Sequence, residues 1–457
     1  MILYQPLRRV TFDSLPVELQ DEIFFFCTLP FPRFSIKEAP IVLARVCRRW
    51  RSMVLSTPRL WSSFQVEVEG SGASGLLHDA RLMRRMKLWL ERSGGCPLSV
   101  RLVYNPVGNV SDNRSMQLLV ALIPQARRWR SVHFTLPSES ILKLQDLPPN
   151  SFPILQSLTL QVTAVRSSPS EPLLNILTMK IPWRQLTDLN LQFELISLPT
   201  LDEAFDILSK TVNLKRGTLQ LECTWKRRGT RREILSLPAL DTLQLTFQTA
   251  RAAADQSGDC LVQFLNLLSI PKLRTLSLGW LAGAIQTWSL VHTDFLAFLQ
   301  ASANTLRELT MTYFPISENQ LLECFSQVPQ LTHLDLRFAL REGANDPITN
   351  QLLVACTIPV PTGSACSTPA RAETPLLPRL EHLNLHCHGA LYESAALFSF
   401  IQSRWHLGKR IEGQDSPRSL RYFRLLSMRS VPSEVEKNVK VWHEEGLDID
   451  IQSLFVR

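Results

Sequence analysis

A short alternation of apolar and polar positions returns along most of the chain. Its clearest form is Leu-x-x-Leu-x-Leu, as in "ILQSLTL" (Leu155, Leu158, Leu160), "QLTDLNL" (Leu186, Leu189, Leu191) and "ALDTLQL" (Leu240, Leu243, Leu245). It continues in "KLRTLSL" (Leu273, Leu276, Leu278), "TLRELTM" (Leu306, Leu309, Met311) and "QLTHLDL" (Leu331, Leu334, Leu336). Later copies are "RLEHLNL" (Leu380, Leu383, Leu385) and "SLRYFRL" (Leu420, Phe423, Leu425). Weaker ones surround Leu98, then Trp129, Val132 and Phe134, then Leu219 and Leu221. Side chains two apart share one face of a strand, so each copy predicts a short strand with one buried face.

Helical stretches separate the strands, among them Thr293 to Ala303 and Ser317 to Gln327. In the second, Ser317 and Gln320 have the spacing of a capping box. Several strands are entered through proline, in "SLPAL", "SIPKL", "QVPQL" and "LLPRL", where proline can end a preceding helix. Leu240, Leu273 and Leu306 stand 33 residues apart, and Leu331 follows after 25. Strand, loop and helix at this period predict an α/β fold, an irregular leucine-rich-repeat solenoid over residues 94–457 with parallel strands on the concave face and helices and loops outside. The irregularity is expected because the slot that commonly holds Asn or Cys after the strand holds Thr163, Glu194, Gln248, Leu281, Phe314, Ala339, His388 and Met428 instead. Residues 341–378, with "TIPVPTGSACSTPARAETPLLP", predict a long mobile excursion.

The first sixty residues follow a different pattern. "LPVELQDEIFFFC", Leu15 to Cys27, predicts a helix opened by Pro16 and carrying a stripe of Leu19, Ile23 and Phe26, with Phe24 and Phe25 off that stripe. "IVLARVCRRWRSMVLS" predicts a second helix with Leu43, Val46, Trp50 and Met53 on one face. Some fifty residues cannot bury this much apolar surface alone. Either a partner covers it or the helix pair caps the first strand. The Gly/Ser stretch "EGSGASG" and a helix from Leu76 to Arg92 make residues 65–93 a linker and connecting helix.

The chain has 457 residues, 45% hydrophobic and 20% charged, an ordinary globular balance. No apolar run approaches the ~20 residues that span a bilayer. Nine scattered cysteines point to reduced thiols, and the polar N-terminus to an intracellular protein, cytoplasmic or nuclear. The net charge of +8 is spread thinly; its densest cluster, Trp225 to Arg232, reads as a solvated loop, so neither nucleic acid nor membrane is expected as a partner. The chain shows no phosphate loop or nucleophile elbow. "HLNLHCH" offers His382, His386, Cys387 and His388, but a strand turns Cys387 away from its histidine neighbours, so no metal site is expected. No cofactor is implied, and no enzyme.

The order Leu15-Pro16, Glu18, Leu19, Ile23-Phe24, Leu43, Val46-Cys47-Arg48, Trp50 and Leu60-Trp61 resembles the F-box motif over residues 11–64. The segment "FPRFSIKEAP" between its helices is longer than in compact F-boxes. An F-box followed by leucine-rich repeats resembles the substrate receptors of Skp–cullin–F-box ubiquitin ligases. That resemblance implies a non-catalytic subunit that docks on the Skp adaptor, and through it on cullin, while its repeats hold a protein target. It assigns Leu15, Pro16, Leu19, Ile23, Phe24, Val46 and Trp50 to the Skp-binding motif and Cys47 to a small buried slot. A target would be read by residues flanking the strand leucines: Asp188, Asn190 and Gln192; Thr242, Gln244 and Thr246; Glu308 and Thr310. The richest group is His333, Asp335 and Arg337 with His382, Asn384 and His386. Two alternatives stay open: a Skp-bound F-box protein outside any ligase, and a repeat scaffold whose helices only cap the solenoid.

Overall fold

The computed structural model describes residues 12–69, 75–106, 113–163, 174–193, 198–225, 233–248, 257–281, 288–341, 345–359, 375–407, 419–429 and 433–454. The basic stretch 226–232, residues 70–74 of the Gly/Ser segment, Glu194 and residues 342–344 and 360–374 of the expected excursion lie outside these. Residues 345–359, expected to belong to that excursion, instead hold a helix, Asn350–Ala355, with Ile348, Leu352, Leu353, Cys356 and Ile358 buried. The fold is mixed α/β with parallel strands, and the chain divides into two compact units, Met1–Ser197 and Leu198–Arg457.

In the first unit, α1 (Val17–Phe26) and α2 (Arg48–Ser56) precede β1 (Ser63–Glu69), α3 (Gly75–Arg92) and β2 (Leu98–Asn105). Then come α4 (Arg114–Leu122), β3 (Trp129–Leu136), α5 (Ser138–Leu142), β4 (Ser157–Val162) and β5 (Asp188–Gln192). The five strands pair in parallel in chain order. Their inward residues, such as Val66, Leu102, Phe134, Leu160 and Leu191, are buried. Composition alone had placed residues 65–93 outside the sheet, yet β1 joins it along its whole length. Its alternation of Phe64, Val66 and Val68 with Gln65, Glu67 and Glu69 is a half-buried strand without leucines. The long inter-helix segment also reaches the sheet edge: Gln65 N–H donates to Pro32 O at 2.9 Å, and Phe34 packs on Phe64 and Trp89.

In the second unit the elements run α6 (Leu201–Lys210), β6 (Arg216–Glu222), β7 (Leu235–Ser236), β8 (Thr242–Gln248), α7 (Ser257–Asn266), β9 (Leu268–Ser269), β10 (Thr275–Trp280) and α8 (Trp288–Ala301). They continue with β11 (Glu308–Thr312), α9 (Glu318–Gln327), β12 (His333–Arg337), α10 (Asn350–Ala355), β13 (His382–Cys387), α11 (Ser394–Gln402), β14 (Tyr422–Ser427), α12 (Ser433–Glu444) and β15 (Asp448–Ser453). Parallel pairing follows the order β6-β8-β10-β11-β12-β13-β14-β15. Helices α6 to α12 touch one another in the same order. The leucines of every copy, including the one just ahead of each strand (Leu240, Leu273, Leu306, Leu331, Leu380, Leu420), are buried.

Local chemistry explains the helix starts. Ser317 and Gln320 form the capping box of α9, and Thr200 with Glu203 forms another on α6. The prolines do not all follow helices, however. Pro329 ends α9, whereas Pro238 and Pro271 follow the short pair β7 and β9, which forms a separate two-stranded parallel sheet. In the Asn/Cys slot, Phe314 is buried, its ring 4.8 Å from Trp288 and 5.7 Å from Phe295, so an aromatic plug fills the turn there.

Candidate functional site

Two surfaces of different character hold the predicted site residues, one in each unit.

In the first unit, α1 is packed the opposite way round from its stripe. Phe24 is 1% exposed, stacked on Phe12 at 5.3 Å and edge-on to Trp50 at 4.9 Å. Gln20 is buried on the same side and donates through Nε2 to Leu15 O at 2.7 Å. Phe25 is half-buried beneath the Arg59 guanidinium, 3.8 Å from its ring centre; Arg59 also pairs with Glu22. The stripe itself faces out: Leu19 is 51% exposed, Ile23 40% and Phe26 81%. Pro16 occupies the N-cap, one position earlier than expected, and its carbonyl accepts from the Leu19 and Gln20 N–H groups.

The second helix is not continuous. A 3-10 turn over Leu43–Arg45 is separated from α2 by Cys47, whose backbone is extended at φ −153°. Cys47 is exposed rather than slotted into the core, and its Sγ accepts the Trp50 N–H at 3.4 Å to cap α2. This break turns Val46 outward, 59% exposed, while Leu43 and Val54 point in and Trp50 is half-buried. Of the residues assigned to the Skp-binding motif, Phe24 and Trp50 therefore serve the helical pair's own packing. Leu19, Ile23 and Val46, with exposed Pro16, are available to another molecule.

In the second unit, the strand residues opposite the core form rows across the open face. The register aligns Glu308, His333, His382, Tyr422 and Asp448; next Thr310, Asp335, Asn384, Arg424 and Asp450; then Thr312, Arg337, His386, Leu426 and Gln452. All six members of the richest predicted group thus lie on two neighbouring strands. Arg337 donates to Asp335 through Nε at 2.9 Å and Nη2 at 2.6 Å. Burial, then the Arg337 charge, lowers the proton affinity of His386, and burial followed by His333 lowers that of His382. Cys387 is fully buried on the opposite face from His386, as the strand period required, and burial pushes its thiol pKa up. Among the described residues no group of three or more His, Cys, Asp or Glu side chains is placed to hold a metal.

The remaining predicted residues lie on strands of both units. Thr242, Gln244 and Thr246 lie in these rows on β8, and in the first unit Asp188, Asn190 and Gln192 alternate with the buried Leu189 and Leu191 of β5. Sequence reasoning missed Tyr422, Arg424 and Asp450. The signal was present, because "SLRYFRL" puts Tyr422 and Arg424 in the slots that His382 and Asn384 fill one copy earlier. No helix among the described residues is long and apolar enough to cross a membrane. No protein-family model matches the chain, and no curated protein matches it in sequence.

Proposed function

We propose that this chain is the substrate-recognition subunit of a Skp–cullin–F-box ubiquitin ligase. In this reading an F-box at residues 11–64 docks on the Skp adaptor, and the strands that follow are an irregular leucine-rich-repeat solenoid whose open face holds the target. Its contribution is proximity, presenting a bound protein to the ubiquitin-carrying enzyme with no bond chemistry of its own.

The observation that carries this reading is the outward apolar stripe of Leu19, Ile23 and Phe26 on α1, with Val46 exposed as well. Burying such a side chain fully is worth about 1.5–3 kcal/mol. The chain leaves several of them wet together, which marks a surface for another protein. At the sheet edge Phe34 packs on Phe64 of β1 and on Trp89, and Trp89 packs on Trp61, without using that stripe.

A pull-down with the full chain, probed for Skp and cullin, tests the reading. Recovery of both, lost in Leu19→Asp and in Ile23→Asp, supports it. Skp without cullin points to a complex outside the ligase. Recovery of neither leaves the helices as a cap and overturns the proposal.

A further inference from the structure

The open face of the second unit is not uniform. Where β12, β13 and β14 run side by side, two arginines stand around one histidine. His386 is directly opposite Arg337 in register, and one row back Asn384 is opposite Arg424. Adjacent strands lie ~4.8 Å apart, so these side chains are neighbours.

Arg337 is held in place by Asp335, and both guanidiniums keep donors to spare. Arg337 spends Nε and Nη2 on Asp335, leaving Nη1 without a partner among the described residues. Arg424 Nε lies 3.4 Å from Asp450 Oδ2, and that carboxylate is shared with Gln452, whose Nε2 donates to its two oxygens at 3.0 and 3.2 Å. The Nε2 of His386 is buried and has no hydrogen-bond partner among the described residues. Burial is the main reason His386 holds a proton poorly; the Arg337 charge adds to it, Asp335 opposes it, and Arg424 adds a little more. Unused N–H donors of two arginines therefore flank this histidine. A carboxylate or phosphate oxygen complements that arrangement through charge-assisted hydrogen bonds.

The neighbouring rim carries a second mark of a binding site. Tyr313, just past β11, is half-exposed with φ +55°, a backbone conformation that bulky residues avoid. Its N–H donates to Arg337 O at 2.6 Å. Backbone strain of this kind persists where surrounding structure imposes it, and it clusters at ligand sites. Exposed tyrosine beside a locked arginine is also the composition of interaction hot spots.

We propose, resting on the receptor reading above, that Arg337, His386 and Arg424 form a subsite for one anionic side chain of an extended target peptide, with Tyr313 as its aromatic flank. The anion is a carboxylate or a phosphoryl group; the two share the oxygens that the subsite binds.

The test uses the isolated full chain with labelled histidine rings and three probes, Ac-Ala-X-Ala-amide with X as phosphoserine, glutamate or serine. The phosphoserine or glutamate peptide is expected to shift the His386 resonance, assigned with His386→Gln, and to raise its apparent pKa. The serine peptide is not. In Arg337→Gln/Arg424→Gln, binding of the active probe should weaken at least about tenfold, with the His333 and His382 resonances unchanged as evidence of an intact sheet. A response to phosphoserine alone assigns the subsite to phosphorylated targets, and a response to both assigns it to acidic residues generally. No shift with any probe, an equal shift with serine, or full binding by the double variant overturns the proposal. Because no Skp is present, failure here leaves the docking reading standing, and loss of Skp binding leaves this result standing.

Discussion

The rings of His333 and His382 lie face to face, their centroids 4.1 Å apart and their planes within 8°. The two residues are register partners on β12 and β13, and Tyr422 continues the stack at 5.9 Å from His382. Thr332 Oγ1, 2.9 Å from Nδ1 of His333, fixes that ring's orientation. An imidazole so placed is a poor site for a proton: burial first, then His333 and Arg421, outweigh Glu381 and Asp448 and hold His382 below its usual pKa. The folded value is thus below the unfolded one, near 6.5. The stability this arrangement confers is fully present above pH ~6.5 and is lost as pH falls through the folded value. Ring titration by NMR should place His382 below 6.5, and His333→Phe should move it upward by removing one opposing charge. His382→Gln should flatten the decline of thermal stability on acidification.

Phe24 and Leu19 are five residues apart and should respond in opposite ways. Phe24→Ala removes a buried ring from between Phe12 and Trp50 and is expected to cost about 3–5 kcal/mol. Leu19→Ala alters an exposed residue and should stay within ±0.5 kcal/mol in the isolated chain. Urea denaturation followed by circular dichroism distinguishes them. On the receptor reading, only Leu19→Ala weakens Skp capture without weakening the fold.

Arg404 is 0% exposed and donates to three backbone carbonyls, Cys356 O at 2.6 Å, Leu377 O at 2.8 Å and Leu376 O at 2.5 Å. Burial brings its pKa down to about 10, which still leaves it charged at neutral pH. Its role is to satisfy carbonyls that helix and strand leave over on either side of residues 360–374. Arg404→Met should orphan Cys356 O and Leu376 O, Leu377 O keeping the Leu380 N–H at 3.1 Å, and cost about 3–5 kcal/mol, since one half of a buried polar arrangement is left behind. Arg404→Lys should recover part of that loss, and chemical denaturation of the two variants measures the difference.

Gly389 follows β13 with φ +81°, and a Cβ there would collide with Ser427 Oγ and sit 3.1 Å from the Tyr392 hydroxyl. Gly389→Ala should therefore destabilise the chain by more than the ~1 kcal/mol that an unfavourable backbone alone costs. Adding Ser427→Ala should return the steric part and leave the backbone part. A double-mutant cycle on thermal or urea midpoints separates the two.

The repeated hexapeptide was legible because it depends only on the strand pleat. A residue's face follows from its position modulo two, and copies in equal register bring equivalent slots together. This is why His333 with His382, and Arg337 with His386, could be placed on one surface in advance. The same logic extends to Tyr422 and Arg424, which fill the slots of His382 and Asn384 one copy on. β1 was hidden for a different reason: its alternation uses Phe and Val rather than Leu, and the nearby Gly/Ser segment drew it into a linker.

The helical pair was legible in outline and not in orientation. Both candidate stripes of α1 are apolar, and periodicity cannot say which one faces Trp50. The break at Cys47 depends on a thiol capping a helix three residues on, which turns Val46 outward. Alternating strands, capped helices and their order follow from neighbours within a few residues, where sterics and local hydrogen bonds act. The side of α1 that stays wet, the carbonyls that Arg404 serves and the strained Tyr313 beside Arg337 follow from partners tens of residues away. Only packing of the whole chain brings those partners within a hydrogen bond of each other.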